Sequence, residues 1–317
     1  MVNVLVVESD SDRKSFPTID GVDFRSCSMD GLVEAVSWAE VLLFRTFETA
    51  DLRAVWPMAE NLRWIHASSA GVDRLLDPIL REGPWILTNS GGILDRAIAE
   101  YVAAGILASV KKLPQALARQ RERVWEHRRT TGVHGRAGLV VGPGSIGREI
   151  ARMLGALGMR VDAAATSERS GDSEFARIRD VRQLPTYAGE YDVIVVAAPL
   201  TDATRGLVDI EVLAAMRSDA GLVNIARGPV VNEQALCDAL SSGGIGWAVL
   251  DVFEVEPLPN TSPLWGMDNV ILTAHLAGDA DDFAERLWAL FEDNLQRYVH
   301  GSSLVNVVDL RLGYVRR

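Results

Sequence analysis

Arg227, Glu256 and His275 are three residues whose types and placement could together carry out a reaction. Each follows a short apolar run. GLVNI (221–225) precedes Ala226-Arg227-Gly228, WAVL (247–250) precedes DVFEVEP, and VILT (270–273) precedes Ala274-His275. Such runs read as successive strands of one buried parallel sheet, whose ends deliver their side chains to a common edge. An imidazole there is a proton donor that works near neutral pH. A carboxylate beside it fixes the tautomer and stabilises the charged form. A guanidinium binds a substrate carboxylate with its planar fork and polarises the adjacent carbonyl. The set suits the reduction of a carbonyl by a nicotinamide hydride, where charge builds on the oxygen and a proton must meet it. Singly, each residue has a plainer reading: a solvated or ion-paired arginine, a glutamate in a loop before a proline, a buried histidine. The other histidines, His66, His127, His134 and His300, have no such setting and read as structural or surface.

The element that must position a nicotinamide stands upstream. GLVVGPGSIG (138–147) is an apolar strand followed at once by glycines and then by REIARMLGALGM, with Ile150, Met153, Leu154 and Leu157 at helical spacing. Strand, glycine turn and helix form the context a dinucleotide fingerprint requires. Gly142 makes the turn, Gly144 lets a pyrophosphate approach, and Gly147 lets the helix pack on the strand. With Ser145 and Ile146 these residues open the helix whose N-terminal amides would hold phosphates. A second strand, 159–165, should end at Ala165, where an NAD enzyme of this fold carries an acidic residue for the ribose. Asp162 lies within the strand, too far from its end. No carboxylate at Ala165 repels a 2′-phosphate, while Thr166, Ser167 and Arg169 could bind one. The expected cofactor is therefore NADP, with NAD as the alternative if Glu168 serves a ribose diol. YDVIVVA (191–197) is a further strand, and Ala198, Pro199, Ile225 and Gly278 join the cofactor-binding set along the same edge.

The first ninety residues alternate in the same way, with strands at 3–7, 41–44, 64–67 and 86–88. Their ends carry Arg45, SSAGVD (68–73) and NSGG (89–92). Ser69-Ala70-Gly71 is either a turn opening a helix or a pair of amides offered to an anion. A long apolar helix over 95–114 should be buried between layers and separate the two sheets. The segment 116–134 is polar, and Trp125 stands among Arg121, Arg123, Arg128 and Arg129. An aromatic in that setting caps an interface rather than fills a core. After a helix over 280–299, the strand-like LVNVVDL returns to complete the first domain.

The net charge of −11 argues against nucleic acid or an anionic membrane as partner. With 48% hydrophobic and 24% charged residues the composition is that of a globular protein. No apolar run reaches membrane-spanning length, and the start MVNVLVVESD lacks the pattern of a signal peptide. Cys27 and Cys237 are too few for a disulfide framework or a cysteine-built zinc site, so no metal is expected. The expected location is the cytoplasm.

The chain resembles the D-isomer-specific 2-hydroxyacid dehydrogenase family. The resemblance runs from Ser68 to Gly278 and is carried by SSAGVD, GPGSIG, AAPLTDATRGLV (197–208), VNIARGPVV, LDVFEVEPLP, SPLW and NVILTAHLAG. It implies an α/β fold of two doubly wound parallel-sheet domains, a Rossmann cofactor domain (93–279) inserted in a flavodoxin-like substrate domain (1–92 and 280–317). It implies that Arg227 binds a 2-oxo acid, that His275 is the acid/base with Glu256 as its partner, that the amides of Ala70 and Gly71 hold the substrate carboxylate, and that Asp251 holds the nicotinamide carboxamide. It further implies a homodimer, and in related reductases a tryptophan from the region of Trp125 reaches the partner's active site. Arg45, Ser68, Ser69 and Trp125 would set the choice among acids such as glyoxylate, hydroxypyruvate and pyruvate. One departure is Ala274, where the family usually has proline; this should loosen the turn and leave the acid in place. Two other activities on this fold fit less well. Corepressor-like cofactor sensors carry long disordered tails, and phosphite dehydrogenases place a lysine where this chain has Ser68 and Ser69.

Overall fold

The computed structural model describes residues 1–8, 16–46, 52–170 and 172–316. They form two compact units, Met1–Ile93 with Asp281–Arg317, and Leu94–Ala280.

The first unit is built on β1 (Val2–Val7), β2 (Val22–Cys27), β3 (Val41–Phe44), β4 (Trp64–Ala67) and β5 (Ile86–Thr88). All neighbours pair in parallel, in the order β2-β1-β3-β4-β5, the flavodoxin-like order. The central strands are apolar at nearly every position because both faces are covered. Leu5, Leu42, Ile65 and Leu87 face one buried cluster. Val4, Val41, Leu43 and Trp64 face another, closed by Phe291 and Leu295. β2, at the edge and partly exposed, was not anticipated from the sequence.

The second unit carries β6 (Ala137–Val141), β7 (Arg160–Ala165), β8 (Ile178–Asp180), β9 (Val193–Val196), β10 (Gly221–Asn224), β11 (Trp247–Leu250) and β12 (Val270–Leu272). Its parallel sheet has the order β12-β11-β10-β9-β6-β7-β8. The order reverses between β6 and β9, the switch point where doubly wound sheets bind ligands beyond their strand ends. Successive residues alternate between faces: Leu139 and Val141 join one core, Val140 the other. The two-sheet α/β class inferred from the sequence is the observed one.

Five helices of eight residues or more stand among the described residues: α1 (Asp95–Val110), α2 (Leu113–Glu122), α3 (Ser145–Ala156), α4 (Glu233–Ser242) and α5 (Phe283–Val299). α1 buries Ile98, Ala99, Val102 and Ile106 in the core of the second unit. A Cβ at Gly105 would lie 2.8 Å from Val249 Cγ1, so the missing side chain sets how closely the helix approaches β11. The expected helix over 95–114 ends instead at Val110. Pro114 does not terminate a helix but occupies the first turn of α2, where its lost amide costs nothing. The LVNVVDL segment forms no strand; its pairings are two isolated bridges, Val307 with Thr88 and Asp309 with Tyr314.

Candidate active site

His275 lies three residues beyond β12 and Glu256 six beyond β11, and their side chains meet. His275 Nδ1 is 2.9 Å from Glu256 Oε2. A carboxylate only accepts, so Nδ1 carries the proton and Nε2 is left for a substrate. Glu256 Oε1 accepts in turn from the Phe253 amide at 3.1 Å, which fixes the carboxylate from its own loop. The imidazole is 38% exposed, so it is reachable while anchored.

The turn that presents His275 is held by Asp251. His275 has φ +55°, a left-handed conformation that costs a non-glycine residue about 1 kcal/mol. The Asp251 carbonyl accepts from the His275 amide at 2.9 Å, and its buried carboxylate accepts from the Leu276 and Ala277 amides, both at 2.9 Å. Thr273 Oγ1 donates to the same carboxylate at 2.5 Å and accepts from Tyr101 at 2.6 Å. Burial pushes the Tyr101 phenol up to about 12, which keeps it a neutral donor. Thus the turn that carries Ala274 is pinned by four hydrogen bonds to one aspartate. The roles of Thr273 and Tyr101 escaped the sequence reading, because Thr273 reads only as the end of an apolar run and its partner stands 172 positions away in a buried helix.

Arg227 follows β10, the neighbour of β11. Asn224 holds its turn: Oδ1 accepts from the Ala226 amide at 3.1 Å, and Nδ2 donates to the Arg227 carbonyl at 3.2 Å. A Cβ on Gly228 would fall 1.8 Å from the Phe253 carbonyl carbon, so the loops after β10 and β11 touch backbone to backbone. Arg227 and the segment leading to Glu256 are thereby kept in register.

The fingerprint has the shape a dinucleotide needs. Gly142 has φ +102°, and a Cβ there would sit 2.8 Å from the Ala198 backbone; at Gly147 it would sit 2.2 Å from the Gly142 carbonyl oxygen. At Gly144 a Cβ would meet nothing within 4 Å, which leaves open space over the first turn of α3, formed by Ser145, Ile146 and Gly147. β7 ends at Ala165, and Thr166, Ser167, Glu168 and Arg169 are exposed beyond it. Asp162 is fully buried within β7, where its carboxylate accepts from Arg177 at 2.8 Å and Tyr191 at 2.8 Å. That structural engagement removes it from ribose recognition. The Arg169 backbone pairs with Ile178, which anchors the residue while its side chain faces solvent. Pro199 and Ile225 follow β9 and β10, and Gly278 packs against Leu94 and Ile98.

In the first unit, Arg45 is ion-paired with the buried Glu8 at 2.8 Å, a partner the sequence reading missed. The Ser69–Gly71 loop is tied through its carbonyls. Ser69 O accepts from the Ser90 amide at 3.1 Å, Ala70 O from Asn89 Nδ2 at 2.5 Å, and Gly71 O from Ser69 Oγ at 2.6 Å. Beneath it lies a directed chain. Trp64 Nε1 donates to Thr88 Oγ1 (2.8 Å), Thr88 bonds His66 Nδ1 (2.7 Å), and Ser90 Oγ lies 3.3 Å from His66 Nε2 while donating to Ala67 O (2.8 Å). With Ser90 committed as a donor, His66 Nε2–H is the donor to it. Burial holds His66 down at about 3, so it is a neutral structural residue. Trp125 is fully exposed at 101%, in an irregular segment following α2.

Among the described residues, no helix is long and apolar enough to cross a membrane, and no cluster of three metal-ligating side chains occurs. The sequence model of the D-isomer specific 2-hydroxyacid dehydrogenase NAD binding domain matches residues 103–277. D-3-phosphoglycerate dehydrogenase of Methanocaldococcus jannaschii is 31% identical over 284 residues, which is 88% of this chain and 53% of that protein. Glyoxylate reductase of Thermofilum pendens is 32% identical over 261 residues, covering 80% of this chain and 77% of that protein. Among solved structures, the D-isomer specific 2-hydroxyacid dehydrogenase from Xanthobacter autotrophicus Py2, in complex with NADPH and MES, is 31% identical with a TM-score of 0.84 over 99% of this chain and 100% of that chain. The chain spans about half the length of the phosphoglycerate dehydrogenases that it matches.

Proposed function

Because the chain belongs to the D-isomer-specific 2-hydroxyacid dehydrogenase family, we propose that it reduces a small 2-oxo acid to the D-2-hydroxy acid with NADPH. The observation that carries this reading is the His275–Glu256 pair at 2.9 Å on the strand end beside that of Arg227. When bound, the nicotinamide supplies a hydride to the carbonyl carbon. Arg227 grips the oxo acid and draws charge toward the carbonyl oxygen. His275 Nε2 delivers the proton that this oxygen takes up, and the Glu256 carboxylate balances the charge of the imidazolium. In the first unit, the amides of Ala70 and Gly71 take the substrate carboxylate, while Arg45 and Ser69 bias the choice of side chain. Asp251 holds the His275 turn and would also hold the nicotinamide carboxamide.

For the cofactor, Gly142, Gly144, Ser145, Ile146 and Gly147 hold the pyrophosphate, and Thr166, Ser167 and Arg169 hold the 2′-phosphate. The structural use of Asp162 supports this, as does the NADPH in the Xanthobacter relative. The test is NADPH oxidation against glyoxylate, hydroxypyruvate and pyruvate, repeated with NADH. Turnover of at least one acid with a clear preference for NADPH is expected. Arg169→Ala should erode that preference by about tenfold, the worth of one charge-assisted hydrogen bond. Preference for NADH in the unaltered enzyme would refute the assignment and point to Glu168.

We also place the enzyme in the cytoplasm as a homodimer. Cys27 and Cys237 are too few for a disulfide framework, in keeping with a reducing compartment. Leu113, Leu117, Val124 and the fully exposed Trp125 leave apolar surface along α2 and the turn after it. Covering an indole removes on the order of 150–250 Å² from water, a typical anchor for an interface. Sedimentation at micromolar concentration should give a dimer, and Trp125→Ala should weaken it; a monomer would rule the proposal out.

A further inference from the structure

We infer that Asn89 and Asn306 are positioning residues for the substrate, acting through the Ser69–Gly71 loop. The inference rests on the reading that this loop takes the substrate carboxylate. Asn306 stands 217 residues from Asn89 in sequence, yet the two are directly bonded. Asn306 Nδ2 donates to the Gly91 carbonyl at 2.7 Å and to the Asn89 carbonyl at 3.3 Å, and its own carbonyl accepts from the Asn89 amide at 3.2 Å. Asn89 passes the constraint on. Its Oδ1 accepts from the Gly91 amide at 3.1 Å, and its Nδ2 donates to the Ala70 carbonyl at 2.5 Å. Ala70 is one of the two residues whose amides would meet the carboxylate.

Asn306 is itself fixed from both sides. The buried Asn294 on α5 accepts from the Val305 amide at 2.8 Å and donates to the Val305 carbonyl at 3.1 Å. On the other side the Val308 amide donates to the Leu87 carbonyl at 2.8 Å. Between these anchors Asn306 adopts φ +57°, a left-handed conformation that glycine and asparagine tolerate best. That conformation aims the amide at the 89–91 turn, where two carbonyls face it. A side-chain amide suits this place because it donates twice without bringing a charge near an anion site. The C-terminal segment thereby reaches a loop that its position in sequence would not connect it to. Every residue of the relay lies in the first unit.

Asn306→Gly keeps the left-handed backbone and deletes only the amide, and Asn89→Ala deletes the bond to Ala70. The full-length enzyme is assayed with NADPH on glyoxylate and on glycolaldehyde, which has an aldehyde but no carboxylate. The unaltered enzyme should favour glyoxylate strongly. Each variant should raise the KM for glyoxylate about tenfold and lower the glyoxylate-to-glycolaldehyde ratio of kcat/KM to match, with kcat and NADPH affinity nearly unchanged. A thermal midpoint close to that of the unaltered enzyme shows that the fold is intact. If the unaltered enzyme does not discriminate between the two aldehydes, the carboxylate reading fails and the inference with it. If it does discriminate and both variants keep the same ratio, the positioning role alone is overturned. A parallel fall in kcat on both aldehydes would mark a general structural role and overturn it too.

Discussion

His275→Ala should lower turnover on the best 2-oxo acid by about 100- to 10,000-fold, the usual worth of a positioned general acid. The expectation rests on how completely the imidazole is arranged before any substrate arrives. Its Nδ1 is committed to Glu256, its backbone is held in a left-handed turn, and that turn is bolted to the buried Asp251. A group so fixed loses no freedom at the moment of proton transfer, so its deletion removes transition-state stabilisation rather than ground-state binding. The signature is a fall in kcat with KM and NADPH affinity nearly unchanged. Glu256→Gln is the graded companion. The amide can still accept from Nδ1 but carries no charge to balance an imidazolium, so its loss of turnover should be smaller than that of His275→Ala. Pre-steady-state NADPH oxidation separates the chemical step from product release. If His275→Ala keeps most of the turnover, the proton comes from elsewhere and the assignment is wrong.

Some of this arrangement was legible in the chain and some was not, for physical reasons. Strands buried on both faces are apolar at nearly every position, so β6, β9 and β10 announce themselves in sequence. The edge strands β2 and β8 do not. β2 reads VDFRSC and is partly exposed, and β8 has only three residues. Without a second covering layer there is no demand for a continuous apolar run. Proline misled at Pro114, since it terminates a helix but is also welcome in the first turn of the next. Strand ends told where Arg227, Glu256 and His275 would emerge, because parallel neighbours share an edge. What the sequence could not give was the use of ordinary polar residues as braces. Glu8 meets Arg45 across 37 positions, Tyr101 meets Thr273 across 172, and Asn306 meets Asn89 across 217. Such pairs follow from sheet order and from the return of the C-terminal segment, neither of which leaves a local pattern. Asp162 is half legible: its place within the strand sets it apart from a ribose ligand in sequence, but its use as an anchor for Arg177 and Tyr191 shows only in the structure.

Arg227→Gln should cost about 1,000-fold in kcat/KM, and its kinetic signature should differ from that of the histidine variant. A guanidinium that grips the oxo acid acts both before and during the chemical step, so KM should rise while kcat falls. Two charge-assisted hydrogen bonds are worth roughly 3–6 kcal/mol together, and tenfold per about 1.4 kcal/mol places the loss near three orders of magnitude. Arg227→Lys restores the charge without the planar fork, and should recover only part of the activity. The turn will not relax to compensate. Asn224 holds the backbone on both sides of Arg227, and Gly228 sits so close to Phe253 that even one methyl group finds no room. A lysine or glutamine must therefore work from the same Cα position, with a shorter or less directional reach. If Arg227→Gln leaves KM within about twofold and kcat intact, the arginine is an ordinary strand-end residue. Substrate binding would then have to be sought among Arg45 and the loops of the first unit.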